Sequence, residues 1–291
     1  MRIERDRLAL CSWSLGNDPR RIASVFEATG IRGLHLDVAA LKGADAGAFA
    51  TAIRSGEWRV SALMIAFDQE DYASLESIRK TGGIVPDADW PRNRLAVLEG
   101  LDRAKELGVG LLSFHAGFID ASSGNRSLLL DRMRELADAA AERDVGLLME
   151  TGQEPPEALR DFLETASHPA LGVNFDPANV ILYGVGNPLA AVRILAPWIR
   201  HVHVKDALPA SLSGRWGSEV PWGAGAVGAK EFLSTLREIG YAGTLAVERE
   251  AGEKRDADVR HALGLLLSGA EERTRTPSEG NENIRESPSD D

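Results

Sequence analysis

One cysteine, Cys11, stands in a chain of 291 residues. A lone thiol excludes an internal disulfide framework and a thiolate zinc site, and it fits a reducing compartment. No apolar run approaches the ~20 residues that a membrane span requires. The start of the chain, Met1 to Ser12, carries charges but no apolar stretch of signal-peptide length. Together these absences lead us to expect a cytoplasmic protein without a membrane partner. Positive charge is also lacking, for the net charge is −11. The last 21 residues hold seven acids against three arginines, so −4 sits there and −7 on the rest of the chain. An acidic body argues against binding of a phosphate backbone, because nucleic-acid affinity comes mainly from Lys and Arg. No Gly-x-Gly-x-x-Gly follows the first strand-like run, which counts against a dinucleotide-binding fold.

Two kinds of segment alternate along the chain. Eight apolar runs read as buried strands, starting at Leu8, Gly33, Arg59, Val109, Val145, Leu171, Ile199 and Gly243. Between them, apolar residues recur at three- and four-residue steps, as at Leu95, Leu98 and Leu101 or Phe232, Leu236 and Ile239. Glycines at 30, 108 and 240 punctuate helix ends before the next strand. Regular alternation predicts a parallel sheet, and eight units predict a closed (β/α)8 TIM barrel over residues 1–270. Residues 271–291 are polar except for Ile284 and predict a disordered acidic tail. Two connections exceed the usual loop length, at 68–93 and 207–227. The first follows the third strand and the second the seventh. Both therefore fall on the face that carries chemistry in such barrels, and a substrate-covering role is expected of them.

The last four strand-like runs end in an acid or an imidazole: Glu150, Asp176, His203 and Glu248. Residues at the C-terminal ends of parallel barrel strands converge on one face. Three carboxylates and one imidazole meeting there suit a single divalent cation, and without one the carboxylates would repel each other. Each residue also has a plain structural reading. Glu150 and Glu248 can close ion pairs at the barrel top, with Arg249 beside Glu248 but oppositely directed. Asp176 precedes Pro177 and fits a turn. His203 alone fits a hydrogen-bonded core histidine. Strand alternation puts His201, His203 and Lys205 on one face, which favours a polar pocket over a plain core. His115 ends the fourth run and is a further pocket candidate; His35 and Asp37 on the second run are weaker ones. Gly223-Ala224-Gly225 can present backbone N–H groups to an anion or be an ordinary turn.

From about Leu8 to about Leu267 the chain resembles the sugar phosphate isomerase/epimerase superfamily, the xylose-isomerase-like barrels. The resemblance rests on His201-Val-His-Val-Lys-Asp206, Asp176-Pro-Ala-Asn179, Val220-Pro-Trp-Gly-Ala-Gly225 and Gly240-Tyr-Ala-Gly-Thr-Leu-Ala-Val-Glu248. It implies that Glu150, Asp176, His203 and Glu248 bind one divalent metal, with Mn²⁺ preferred over Mg²⁺, Co²⁺ or Zn²⁺. It also implies that Glu150 and Glu248 form a proton-transfer pair, and that His115, Asn179 and Lys205 contact the substrate. Family epimerases often carry His where this chain has Asn179. The implied activity is isomerisation or epimerisation of a sugar or keto-sugar, with or without a phosphate, by proton removal beside a carbonyl. A keto-sugar or inosose-type dehydratase begins with the same step and stays open as an alternative. A non-enzymatic sugar-binding barrel is a third reading, disfavoured by four intact ligand types. The endonuclease branch of the superfamily is disfavoured because no His stands at 179 and no Asp-x-His at 207–227. A homodimer is the family-level expectation.

Overall fold

The computed structural model describes residues 2–119, 125–212 and 214–269. Eight parallel strands close a barrel in the order β1-β10-β7-β6-β5-β4-β3-β2. They are β1 (Leu8–Cys11), β2 (Gly33–Asp37), β3 (Arg59–Ile65), β4 (Leu111–Phe114), β5 (Gly146–Glu150), β6 (Leu171–Phe175), β7 (Ile199–Val204) and β10 (Leu245–Val247). The expected (β/α)8 architecture is therefore present. Most barrel strands are buried along their length, as for β1, β6 and β10. Helices cover their outer side and side chains fill the lumen, so such strands read as continuous apolar runs.

Helices α1 (Pro19–Thr29), α2 (Ala46–Arg54), α4 (Trp90–Leu107), α5 (Arg126–Ala141), α6 (Pro156–Ala166), α8 (Pro188–Leu195), α9 (Ala229–Glu238) and α10 (Arg255–Ser268) form the outer ring. Local chemistry sets their ends. At α1, Asp18 accepts from Arg20 N, Pro19 occupies the first turn, and Gly30 closes the helix at φ 72°. At α10, Asp256 and Asp258 in the first turn and Gly269 after the last are ordinary end signals.

Neither long connection is structureless. The first holds α3 (Leu75–Thr81), capped by Ser74, and runs into α4 at Trp90. Glu70 Oε1 accepts from Gly83 N, and Gln69 Nε2 donates to Gly83 O. Gly83 has φ 65°, and a Cβ there would lie 2.2 Å from Ala116 O, so both conformation and space demand glycine. The second connection is an antiparallel hairpin, β8 (Asp206–Leu208) with β9 (Ser218–Val220). Residues 120–124 and the tail from 270 lie outside the described residues, as does the disorder expected of 271–291. No described helix is long and apolar enough to cross a membrane.

Candidate metal centre and cavity

The sequence of β6 and its turn explains how Asp176 is aimed. Asp176 caps α7 (Pro177–Leu182): Oδ1 accepts from Ala178 N at 2.8 Å and Asn179 N at 3.0 Å. That leaves Oδ2 buried without a hydrogen-bond partner. The turn reading of the Asp-Pro element therefore holds for Oδ1, and Oδ2 stays available to a ligand. Thr151 fixes the same turn, accepting from Asp176 N and donating to Asp176 O.

The other carboxylates divide in the same way. Glu248 Oε1 accepts from the Trp13 indole at 2.8 Å, and Glu150 Oε1 accepts from Asn179 Nδ2 at 3.3 Å. Glu150 Oε2, Glu248 Oε2 and His203 Nδ1 join Asp176 Oδ2 as buried atoms with no partner. His203 Nδ1 lies 2.7 Å from Glu248 Oε2, 3.2 Å from Glu150 Oε1 and 3.5 Å from Asp176 Oδ2. One ligand atom from each of the four residues falls within 4.8 Å of every other. A buried imidazole nitrogen and three buried carboxylate oxygens, each short of a partner, suit one hard or borderline divalent cation. The residues present fit such an ion.

Charges at the site follow from the same contacts. Burial pushes Glu150 up, but His115 and His203 outweigh it and hold the carboxyl below its usual range. Burial likewise opposes ionisation of Asp176 and Glu248, and Lys205 with His203 overcomes it. Burial disfavours the charged form of His203, yet Glu248 and Glu150 raise its pKa well above the ordinary imidazole value. Three carboxylates thus surround the His203 imidazole, and their negative charge favours a positive charge at its Nδ1.

Beneath this floor lies a second polar layer. His203 Nε2 is 3.0 Å from His35 Nδ1 and 3.1 Å from the Asn174 amide, which also sits 3.0 Å from His201 Nδ1. His35 Nε2 is 3.1 Å from Ser113 Oγ, whose hydroxyl donates to Leu63 O. Ser61 Oγ is 3.2 Å from His201 Nε2. Burial holds His35 and His201 well below the usual pKa, so both are neutral. Cys11, His35 and His203 also come close enough to suggest a ligand trio. Burial pushes the Cys11 thiol up to about 12.

A cavity of about 550 Å³ opens above the four ligand atoms. Glu150, Glu248, His115, Asn179 and Lys205 line it, while Asp176 and His203 do not. His115 Nε2 is 3.8 Å from Glu150 Oε2. Lys205 Nζ is 2.6 Å from Glu250 Oε2, 3.4 Å from Glu248 Oε1 and 3.7 Å from Asp176 Oδ2. Arg249 pairs with Glu219 and Asp258, not with its neighbour Glu248. Of the weaker candidates, Asp37 lines the cavity and His35 lies in the layer beneath. Sequence reasoning did not single out Trp13, Tyr183 and Glu250, whereas Tyr72, Trp216 and Glu219 line the cavity from the two long connections expected to cover the substrate. Aromatic residues in strand-end loops were the available signal for Trp13 and Tyr183. The Gly223–Gly225 turn serves no external anion: Gly223 N and Gly225 N donate to Asp206 Oδ2 at 3.0 Å.

Residues 27–268 match the xylose isomerase-like TIM barrel family. A 2-epi-5-epi-valiolone 7-phosphate 2-epimerase of Actinoplanes sp. is 28% identical over 239 residues, which is 79% of this chain and 82% of the relative. The crystal structure of a xylose isomerase domain protein from Planctomyces limnophilus superposes with a TM-score of 0.82 at 32% identity, over 91% of this chain and 97% of that one. A xylose isomerase-like barrel from Mycobacterium smegmatis, solved with magnesium, superposes at 0.67 and 17% identity, over 90% and 97%.

Proposed function

The chain belongs to the xylose isomerase-like TIM barrel family, and on that premise we propose that it is a metal-dependent epimerase or isomerase of a keto-sugar. One observation carries the reading. Four ligand atoms that make no hydrogen bond outside their own cluster meet beside a cavity whose walls include two of the same residues, Glu150 and Glu248. The Actinoplanes relative, an epimerase by name, supports the same reaction class.

Glu150, Asp176, His203 and Glu248 would hold one divalent cation, Mn²⁺ or Mg²⁺ being the best match to oxygen-rich ligands with one imidazole. Such an ion, when bound, stabilises the negative charge that develops on an enediolate. The chain's own residues handle the protons. Glu150 at the end of β5 and Glu248 just after β10 are separated in the barrel by β6 and β7. A substrate between them meets one carboxylate on each side. One takes the proton beside the carbonyl and the other delivers a proton to the opposite face. Asn179 steadies Glu150 and Trp13 steadies Glu248 through the hydrogen bonds described above. His115 and Lys205, on the cavity wall, contact substrate hydroxyls.

The test is exchange of substrate C–H with solvent in deuterated water, followed by NMR, over a panel of ketopentoses, ketohexoses and inososes. Metal-dependent exchange that Glu150→Gln and Glu248→Gln each abolish is the expected result. Loss of water to an ultraviolet-absorbing product would move the protein to the dehydratase class. No exchange with any member, with Mn²⁺ in excess, would refute the proposal.

A further inference from the structure

We infer that the substrate is an uncharged polyhydroxy ketone, bearing neither phosphate nor carboxylate; this rests on the keto-sugar reading above. Five carboxylates line the cavity, those of Asp37, Glu150, Glu219, Glu248 and Glu250, against Lys205 and His115. The Lys205 ammonium already faces Glu250, Glu248 and Asp176 within 3.7 Å. It can hydrogen-bond a hydroxyl but has no surplus charge to offer an anion. Arg249 is likewise shared between Glu219 at 2.6 Å and Asp258 at 2.9 Å.

A bound divalent cation does not reverse this balance. Together with Lys205 it neutralises Glu150, Asp176 and Glu248. Asp37, Glu219 and Glu250 then remain, with Arg249 offsetting one of them. A phosphate dianion entering this cavity moves against a net negative field.

The backbone anion sites found among the described residues are closed as well. The N–H groups of Gly223, Gly225 and Val227 all donate to the Asp206 carboxylate. The start of α7 is capped by Asp176 Oδ1. These two clusters of backbone N–H groups, and the Glu250 and Ala251 N–H groups that donate to Glu219, are thus filled by the chain's own acids. Arg79 stacks on Phe118 at 4.3 Å and does not line the cavity.

What the cavity does offer matches hydroxyls and C–H faces. Carboxylates only accept hydrogen bonds, and hydroxyls supply the donors that a phosphate ester dianion lacks. Trp13, Tyr72, Tyr183 and Trp216 provide flat apolar walls for the ring or chain carbons.

The experiment compares matched pairs with the Mn²⁺-loaded full chain: D-fructose with D-fructose 6-phosphate, D-tagatose with D-tagatose 6-phosphate, and a neutral inosose with its phosphate. Solvent exchange is read by NMR. Exchange with at least one neutral member, and at least a hundredfold less with its phosphate, is expected. In Glu250→Gln, which removes one of the facing acids and frees Lys205, that discrimination should narrow about tenfold. A phosphate member that exchanges as fast as its neutral partner, or faster, overturns the inference and leaves the epimerase reading standing. No exchange in either member of any pair overturns both.

Discussion

His35 Nδ1 lies 3.0 Å from Nε2 of His203, so one buried imidazole orients another. The direction of that bond follows from the chain below it. His35 is neutral, and its Nε2 can donate to Ser113 Oγ, whose hydroxyl is spent on Leu63 O. His35 Nδ1 is then an acceptor for His203 Nε2–H, and the Asn174 amide, 3.1 Å from the same nitrogen, must present its oxygen there rather than the Nδ2 donor. With a cation bound as proposed, this would leave the His203 Nδ1 lone pair to face it, with His35 in the place that a carboxylate or carbonyl usually takes behind a metal-bound histidine.

Replacing His35 with Phe keeps a ring in the layer but removes the acceptor. We expect Mn²⁺ affinity, measured by calorimetry, to fall about 10- to 100-fold. The folded state should persist, as checked by circular dichroism. Unchanged affinity in a folded variant would show that His35 does not set the His203 tautomer.

The Trp13 indole plays the matching part for Glu248, donating to Oε1 at 2.8 Å. Trp13→Phe preserves most of the cavity wall and deletes the donor. A hydrogen bond to a charged group contributes ~1.5–3 kcal/mol, so the substrate exchange rate should fall about tenfold or more. A rate within twofold of wild type would mean that Glu248 needs no such restraint.

Much of the barrel was legible because buried parallel strands are apolar nearly throughout, so an acid or His at their ends stands out. Glu150, Asp176, His203 and Glu248 were found that way, and the structure brings all four together. The division of labour within each carboxylate was not legible, since it depends on which oxygen a cap, an indole or an amide reaches. The hairpin β8–β9 was hidden for a different reason. Each of its strands has three residues. Asp206, read from sequence as part of the strand motif, instead gathers backbone N–H groups 17 to 21 residues away. The same bonds closed the anion site that the Gly223–Gly225 turn suggested. Asn174, an amide between Val173 and Phe175, was a visible signal of a polar lumen that periodicity alone does not use.

Glu154 predicts a pH dependence of stability. It is buried beside the β5 turn, and burial pushes its carboxyl from 4.5 up to about 8 with no charge to offset it. A raised carboxyl means that the folded state binds the proton more tightly than the unfolded state between those values. Stability from this group therefore falls as pH rises from about 4.5 to about 8. The total change is bounded by ~5 kcal/mol, at ~1.4 kcal/mol for each unit. In urea titrations Glu154→Gln should match wild type near the lower end and exceed its stability near the upper end. Equal stability differences at both ends would contradict the assignment.

The central claim is that Glu150, Asp176, His203 and Glu248 hold one divalent cation. Elemental analysis tests it most directly, on protein purified without a tag or chelator and then on protein equilibrated with Mn²⁺ and desalted, with His203→Ala alongside. The account predicts about one metal ion per wild-type chain and its loss in the folded variant. Wild-type protein that retains no metal after excess Mn²⁺ would contradict it, and the four residues would then be a proton-bridged acid cluster.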